Sequence, residues 1–350
     1  MVGLNVKFEQ NIKERLKHHN VSGLSIALIN NGKISKTEEF GILEAGTTNE
    51  VDNNSIFNAC SISKFLTSVL VLKLTELGIL DLDENVNDKL TSWKVPENEF
   101  TRREKVTLRT LLSHQSGIID PEGSFAELDS NQSIPVIVDL LEGKTPYCKN
   151  PIDVNYEPGS DFHYSDAGFC IIQQLIEDVS QKSFEEVMIE HIFNPLDMKN
   201  STLSQVIPKA GRGIFSSGHN KNGTVVNGRY PIYPYPAASG LWTTPTDLAV
   251  LVTELMNSLN GKSKLGFSHD MVKEMISPQG GKEWVGLGVF LDGSGKGIDI
   301  SSLGWGVGFQ CMMVANPYLA TGAVIMTNTD LGVHQMEGII GEVYNSMLKS

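Results

Sequence analysis

Metal-binding spacings are missing from this 350-residue chain. Its eight histidines form no H-x-x-x-H or H-x-H pair, and His18-His19 fall in a charged N-terminal stretch, so no metal site is expected. Cysteine is sparse. Cys60, Cys148, Cys170 and Cys311 stand far apart with no C-x-x-C, which excludes a disulfide framework and predicts buried free thiols. Positive charge is short as well: 28 basic side chains face 41 acidic ones, a net charge of -13. Such a surface repels phosphate backbones and anionic lipid, so nucleic acid and membrane surfaces are excluded as partners. No run approaches the roughly 18 apolar residues of a membrane span. The opening MVGLNVKFEQNIKERLKHHN also lacks the apolar middle of a signal peptide. The chain as it stands reads as cytoplasmic, or as extracytoplasmic if an export signal has been removed. A G-x-S-x-G elbow, a P-loop and a G-x-G-x-x-G fingerprint are absent too.

What is present is an ordinary globular composition, 40% hydrophobic and 20% charged, long enough for two lobes or one large domain with an insertion. Phe8, Ile12 and Leu16 recur every four residues between Lys13, Arg15 and Lys17, an amphipathic helix suited to docking on the body of the protein. SGLSIALINNGKISKTEEFG alternates apolar and polar residues around Asn31-Gly32, a hairpin signal because both turn residues must reach positive φ. From about Asp81 to Ile207 the signals are helical or loop-like. GLGVFLDG, GFQCMMVANP and TGAVIMTNTD then read as short strands, and Val333 to Leu348 as a final helix. This order predicts an α+β fold: an antiparallel sheet flanked by N- and C-terminal helices, with an inserted all-helical lobe. Residues 1–80 and 208–350 would form the sheet lobe and 81–207 the helical one, with a pocket where they meet.

At that expected junction stands NACSISKFLTSVLVLKLTELGIL. In a helix, positions three apart share a face, so Lys64 can reach Ser61. A serine hydroxyl attacks well only when a neighbouring base takes its proton, and desolvation would lower the lysine pKa enough for that role. The plainer alternative is a helix-capping serine beside a snorkelling lysine. A second piece is Tyr164-Ser165-Asp166, whose phenol could carry a proton and whose carboxylate could orient Lys64. Helix capping by Ser165 or Asp166, with Tyr164 packed against the helix, is equally open there. SSLGWGVGFQC supplies the third piece, with glycines around Trp305 that either admit a ligand to the backbone or mark a strand bulge.

Together these pieces resemble the serine β-lactamase and penicillin-binding-protein family, closest to its class C β-lactamase, D-peptidase and carboxylesterase branch. Phe57 to Lys64 is similar to the branch's F-x-x-x-S-x-S-K, and LRTLLSHQSGI to its L-L-x-H-x-S-G segment. EPGSDFHYSDAGF with IFNPLDMKNSTL, then ASGLWTTPTDLAVL and GLGV, match later landmarks, so the likeness runs from about Ser22 to Asp330. The resemblance implies Ser61 as acylated nucleophile, Lys64 as general base or base partner and Tyr164 as second proton carrier. It implies an oxyanion hole from the backbone N–H groups of Ser61 and Trp305, with Asp166, Ser302 and Gly304 lining the substrate site. It implies no cofactor.

Two departures bear on substrate. The tyrosine box ends in Asp166 where asparagine is usual, and Ser302-Leu303-Gly304 replaces a Lys-Thr-Gly or His-x-Gly box. The lost cation would have held a carboxylate through a charge-assisted bond worth roughly 1.5–3 kcal/mol. Neutral or cationic esters, or D-amino-acid amides and peptides, are therefore the expected substrates. A true β-lactamase or D,D-carboxypeptidase, with Arg212 or Arg229 replacing the cation, is the second reading. A non-catalytic binding or regulatory protein on the same scaffold is the third. The partners expected are small esters, amides, peptides or β-lactams, with the chain a monomer or weak homodimer.

Overall fold

The computed structural model describes residues 3–4, 6–129, 131–207 and 214–348. Nine strands appear in chain order: β1 (Gly23–Asn30), β2 (Lys33–Gly41), β3 (Ser55–Asn58), β4 (Ile214–Phe215), β5 (Trp242–Thr243), β6 (Phe290–Asp292), β7 (Asp299–Gly306), β8 (Phe309–Asn316) and β9 (Thr321–Thr327). Six of them make one antiparallel sheet in the order β2-β1-β9-β8-β7-β6, and β4-β3-β5 makes a small second sheet. Strands from both ends of the chain thus meet in one sheet, as the pattern predicts. The turn between β1 and β2 has Asn31 at φ 51° and Gly32 at φ 66°, the mirror-image turn that fits strand twist.

Strand alternation sorts the side chains into two cores. Leu24, Ile26 and Leu28 of β1 join Met312, Val314, Ala323 and Ile325 under the terminal helices, α1 (Val6–His18) and the last helix, Ile339–Leu348. Ala27 and Ile29 face the opposite way, into a larger cluster with Phe57, Phe65, Val69 and Phe309. β1 is therefore buried on both faces rather than one, because the sheet is covered on both sides, and the polar alternation survives on the edge strand β2. Ile12 and Leu16 of α1 dock on the first core; the side chain of Phe8 lies outside the described residues. Arg15 binds Glu342 of the last helix and closes that layer. The last helix starts later than predicted. A short 3₁₀ turn, Gln335–Glu337, precedes it, since Gly338 interrupts the periodic run.

Helix α2 (Ile62–Glu76) buries Ile62 through Leu72 and Leu74, all round its circumference. Each fully buried Leu or Val there contributes about 1.5–3 kcal/mol by leaving water. Such a helix has no polar stripe to turn outward, so it runs through the middle of the molecule. Between residues 81 and 207 the described residues contribute helices and isolated bridges but no strand. The division into a sheet lobe and a helical lobe remains a proposal, since one hydrophobic cluster crosses it from Ile29 through Phe65 to Phe169 and Ile172. Its second boundary borders residues 208–213, outside those described.

Candidate active site

The site begins with a turn. Asn58 closes β3, and its Oδ1 accepts a hydrogen bond from Cys60 N (2.8 Å) while its Nδ2 donates to the Pro231 carbonyl. Cys60 sits at φ 49°, a left-handed conformation a non-glycine residue adopts only under such restraint. Its thiol is buried in the core, and burial first, then the charge of Asp330, pushes its pKa up, so it packs as a small hydrophobe. The turn delivers Ser61 to the start of α2. Ser61 makes no capping bond through its side chain, which removes the capping explanation, and no intramolecular partner engages its backbone N–H among the described residues. Ser63 holds the turn instead. Its Oγ donates to the Cys60 carbonyl (2.6 Å) and accepts from Leu241 N (2.9 Å).

Lys64 lies one turn along with its ammonium buried. Nζ donates to Ser61 Oγ (3.2 Å) and to the Ala238 carbonyl (3.0 Å), and stands 2.5 Å from Asp166 Oδ1. It also sits 4.8 Å from the centre of the Tyr164 ring. The Asp166 contact is an ion pair without good hydrogen-bond alignment, as Oδ1 has no hydrogen-bond partner. Burial is the largest influence on Lys64 and favours the free amine. The Asp166 carboxylate, and then Tyr164, outweigh it and hold the pKa above its ordinary value. The expectation that desolvation would leave this amine unprotonated is therefore corrected: in the resting site Lys64 is an ammonium. The cause is the aspartate that stands where the family usually has asparagine.

Asp166 is the first residue of the Asp166–Ser180 helix, and that helix start is firmly built. Ser165 caps it, accepting from Gly168 N (3.0 Å), so capping and proximity to the site hold together here. Asp120, which the sequence reading missed, accepts from Ser165 Oγ and from the N–H groups of Asp166 and Ala167 at 2.7 to 3.0 Å. Burial and the neighbouring Asp166 raise its pKa, while those bonds oppose the rise. His114 was also missed as a site residue, although its segment was singled out. Its ring stacks on Tyr164 at 4.3 Å between centres, and Nδ1 accepts from Ser165 N (3.1 Å). Burial first, then the charge on Lys64, pulls its pKa down to about 3, so it is a neutral positioning group behind the tyrosine. The only cue to either residue was its place in LSHQSGIID.

The far wall is β7. A Cβ on Gly304 would lie 2.3 Å from the Ala59 carbonyl oxygen, and one on Gly306 would meet Tyr233 Oη and Cys60 Sγ. Glycine alone lets this strand lie against the nucleophile turn. Gly306 pairs with Phe309 across a two-residue turn, so Gly304 and Ser302 also face β8 through their backbones. The N–H groups of Leu303 and Trp305 then point to the opposite edge, where β6 pairs only as far as Ser301. Among the described residues, Ser61 and Trp305 thus each offer an unpaired N–H where β7 lies against the nucleophile turn. Ser61, Lys64, His114, Tyr164 and Ser302 line a narrow cavity of about 20 Å³ with Phe290, Val289 and Leu112, room for about one water. The Trp305 side chain lies outside it. A wider cleft of about 570 Å³ near Lys94, Arg102 and Lys105 is lined by no serine or cysteine and by none of the site residues named above. Arg229 pairs with Glu44 (3.1 Å) and does not line the cavity; Arg212 lies outside the described residues.

With this geometry in place, the profile of the Beta-lactamase family matches residues 8–339. The chain belongs to that family. Curated relatives include Protein flp of Staphylococcus aureus (strain MW2), 24% identical over 69% of this chain and 45% of its own length. Penicillin-binding protein 4 of Amycolatopsis lactamdurans is 29% identical over 53% of this chain and 46% of its own. The chain thus spans under half the length of these relatives. D-alanine carboxypeptidase AmpC from Burkholderia cenocepacia shares the fold at a TM-score of 0.72 and 16% identity, covering 98% of this chain and 96% of that one. The octameric penicillin-binding protein homologue from Pyrococcus abyssi does so at 0.73 and 23%, covering 92% and 73%. Membership establishes a serine-hydrolase scaffold, and among the described residues no helix is long and apolar enough to cross a membrane.

Proposed function

We propose that this family member is a serine hydrolase working through an acyl-enzyme on Ser61, acting on neutral or cationic esters or on D-amino-acid amides and peptides. The Ser61 Oγ to Lys64 Nζ contact of 3.2 Å carries the reading. Once Lys64 has lost its proton it accepts the one on Ser61 Oγ as that oxygen bonds to the substrate carbonyl carbon. The carbonyl electron pair becomes an oxyanion facing the N–H groups of Ser61 and Trp305. Collapse breaks the bond to the leaving group, which takes a proton relayed by Tyr164 and Lys64. Water then repeats the sequence on the acyl-serine. The absence of a basic residue at Ser302 supports the preference for substrates without a carboxylate.

Labelling with a fluorophosphonate or a fluorescent penicillin, with Ser61→Ala as control, tests the nucleophile. Hydrolysis of nitrocefin against p-nitrophenyl acetate and butyrate tests the substrate class. Label on the wild type only, with ester turnover exceeding nitrocefin turnover, is expected; efficient nitrocefin hydrolysis refutes the substrate assignment. The charged resting state of Lys64 favours a second reading, a binding or regulatory protein that does not turn over. An unlabelled, well-folded wild type would favour that one instead.

A further inference from the structure

Trp305 is a large aromatic held 45% exposed on a strand whose neighbouring glycines touch the nucleophile turn. Its indole is pinned rather than free: Nε1 donates to Asp330 Oδ1 (2.8 Å), which also accepts from Gly332 N (2.9 Å). Asp330 Oδ2 accepts nothing from the described residues, and no ion pair of the described residues engages this half-buried carboxylate. Lys221 brings its Cδ beside Gly332, yet no ion pair of the described residues joins it to Asp330. The catalytic cavity offers no other cation to balance it. Lys64 is committed to Asp166, and Ser302 is uncharged.

We infer that Trp305 and Asp330 form a recognition site for an ammonium group on the departing part of the substrate. This rests on the acyl-enzyme reading above. The aromatic face and the open carboxylate oxygen together suit a cation that stays partly hydrated. Neither residue lines the narrow cavity at Ser61. The pair stands outside it, with Trp305 on the strand whose Gly304 and Gly306 lie against Ala59 and Cys60 beside Ser61, within reach of the part of a substrate that projects from the site. Asp330 also makes itself felt at the nucleophile turn, since its charge contributes to the raised pKa of the Cys60 thiol.

The test compares acetylthiocholine with its neutral isostere, S-(3,3-dimethylbutyl) thioacetate, following thiol release in the wild type and in Asp330→Asn. The wild type should favour the cation in kcat/KM by about tenfold or more, and Asp330→Asn should bring the ratio close to one. Asparagine keeps an acceptor for the indole. Damage to the Trp305 backbone donor lowers both rates together, whereas loss of recognition lowers the rate on the cation alone, so the neutral substrate separates the two. Equal rates on the two substrates, or a preference that survives in Asp330→Asn, overturns the inference while ester hydrolysis stands. If neither thioester is turned over and Ser61 takes no label, the acyl-enzyme reading has failed. Titration of tryptophan fluorescence with butyltrimethylammonium against 3,3-dimethylbutanol then decides the recognition site alone: saturable binding of the cation lost in Asp330→Asn supports it, and no cation binding removes it.

Discussion

Replacing Asp166 by asparagine should lower the proton affinity of Lys64 and enlarge the fraction present as free amine. Asp166 Oδ1 stands 2.5 Å from Lys64 Nζ, and the lysine is buried. At an effective dielectric constant near 20, that separation corresponds to an attraction of at most about 6–7 kcal/mol. Breaking a buried pair typically costs about 3–5 kcal/mol, and the lower figure applies because the Asp166 side chain is 23% exposed. At about 1.4 kcal/mol per pH unit, this is roughly two units of lysine acidity. The sign follows from the pair. The carboxylate favours the charged lysine, so removing it leaves the opposing effect of burial, which favours the free amine. The acid limb of kcat/KM for p-nitrophenyl acetate against pH should therefore move down by roughly two units, with faster acylation near neutrality. An acid limb that stays in place would refute Lys64 as the group that must lose its proton and transfer that role to Tyr164.

Two further outcomes follow from the same geometry. His114 is neutral when folded, with a pKa of about 3, whereas the unfolded chain protonates it below about pH 6.5. Stability therefore drains as pH falls through that window and gains nothing above it. Urea unfolding should show the wild type losing about 2 kcal/mol more than His114→Gln between about pH 7 and pH 5; equal losses would mean the ring is not buried as described. Gly304→Ala drives a methyl against the Ala59 carbonyl oxygen, where backbone meets backbone. It should cost about 1–3 kcal/mol in urea stability and about a hundredfold or more in kcat/KM, through displacement of the oxyanion donors. Gly297→Ala, with open space around it, is the control.

The sequence alone determined the parts governed by local rules. Asn31-Gly32 fixed a hairpin because few residues tolerate positive φ twice in succession. The all-round apolar run from Phe65 to Leu74 fixed a central helix, and the i, i+3 spacing fixed Ser61 and Lys64 on one face of it. Ordered landmarks fixed the family. Tertiary structure decided what depends on groups distant in the chain. Whether Lys64 is charged is set by Asp166, about a hundred residues on, and by burial that no window of sequence displays. The support from Asp120, His114 and the Ala238 carbonyl was invisible for the same reason: each acts through a hydrogen bond or ring contact that exists only when loops from separate segments meet. Glycine at 304 could be read as admitting a ligand to the backbone or as a strand bulge until the fold brought Ala59 against it. Periodicity reports which side of an element is apolar, but proton affinity depends on which charges lie within a few ångströms, and only folding sets those distances.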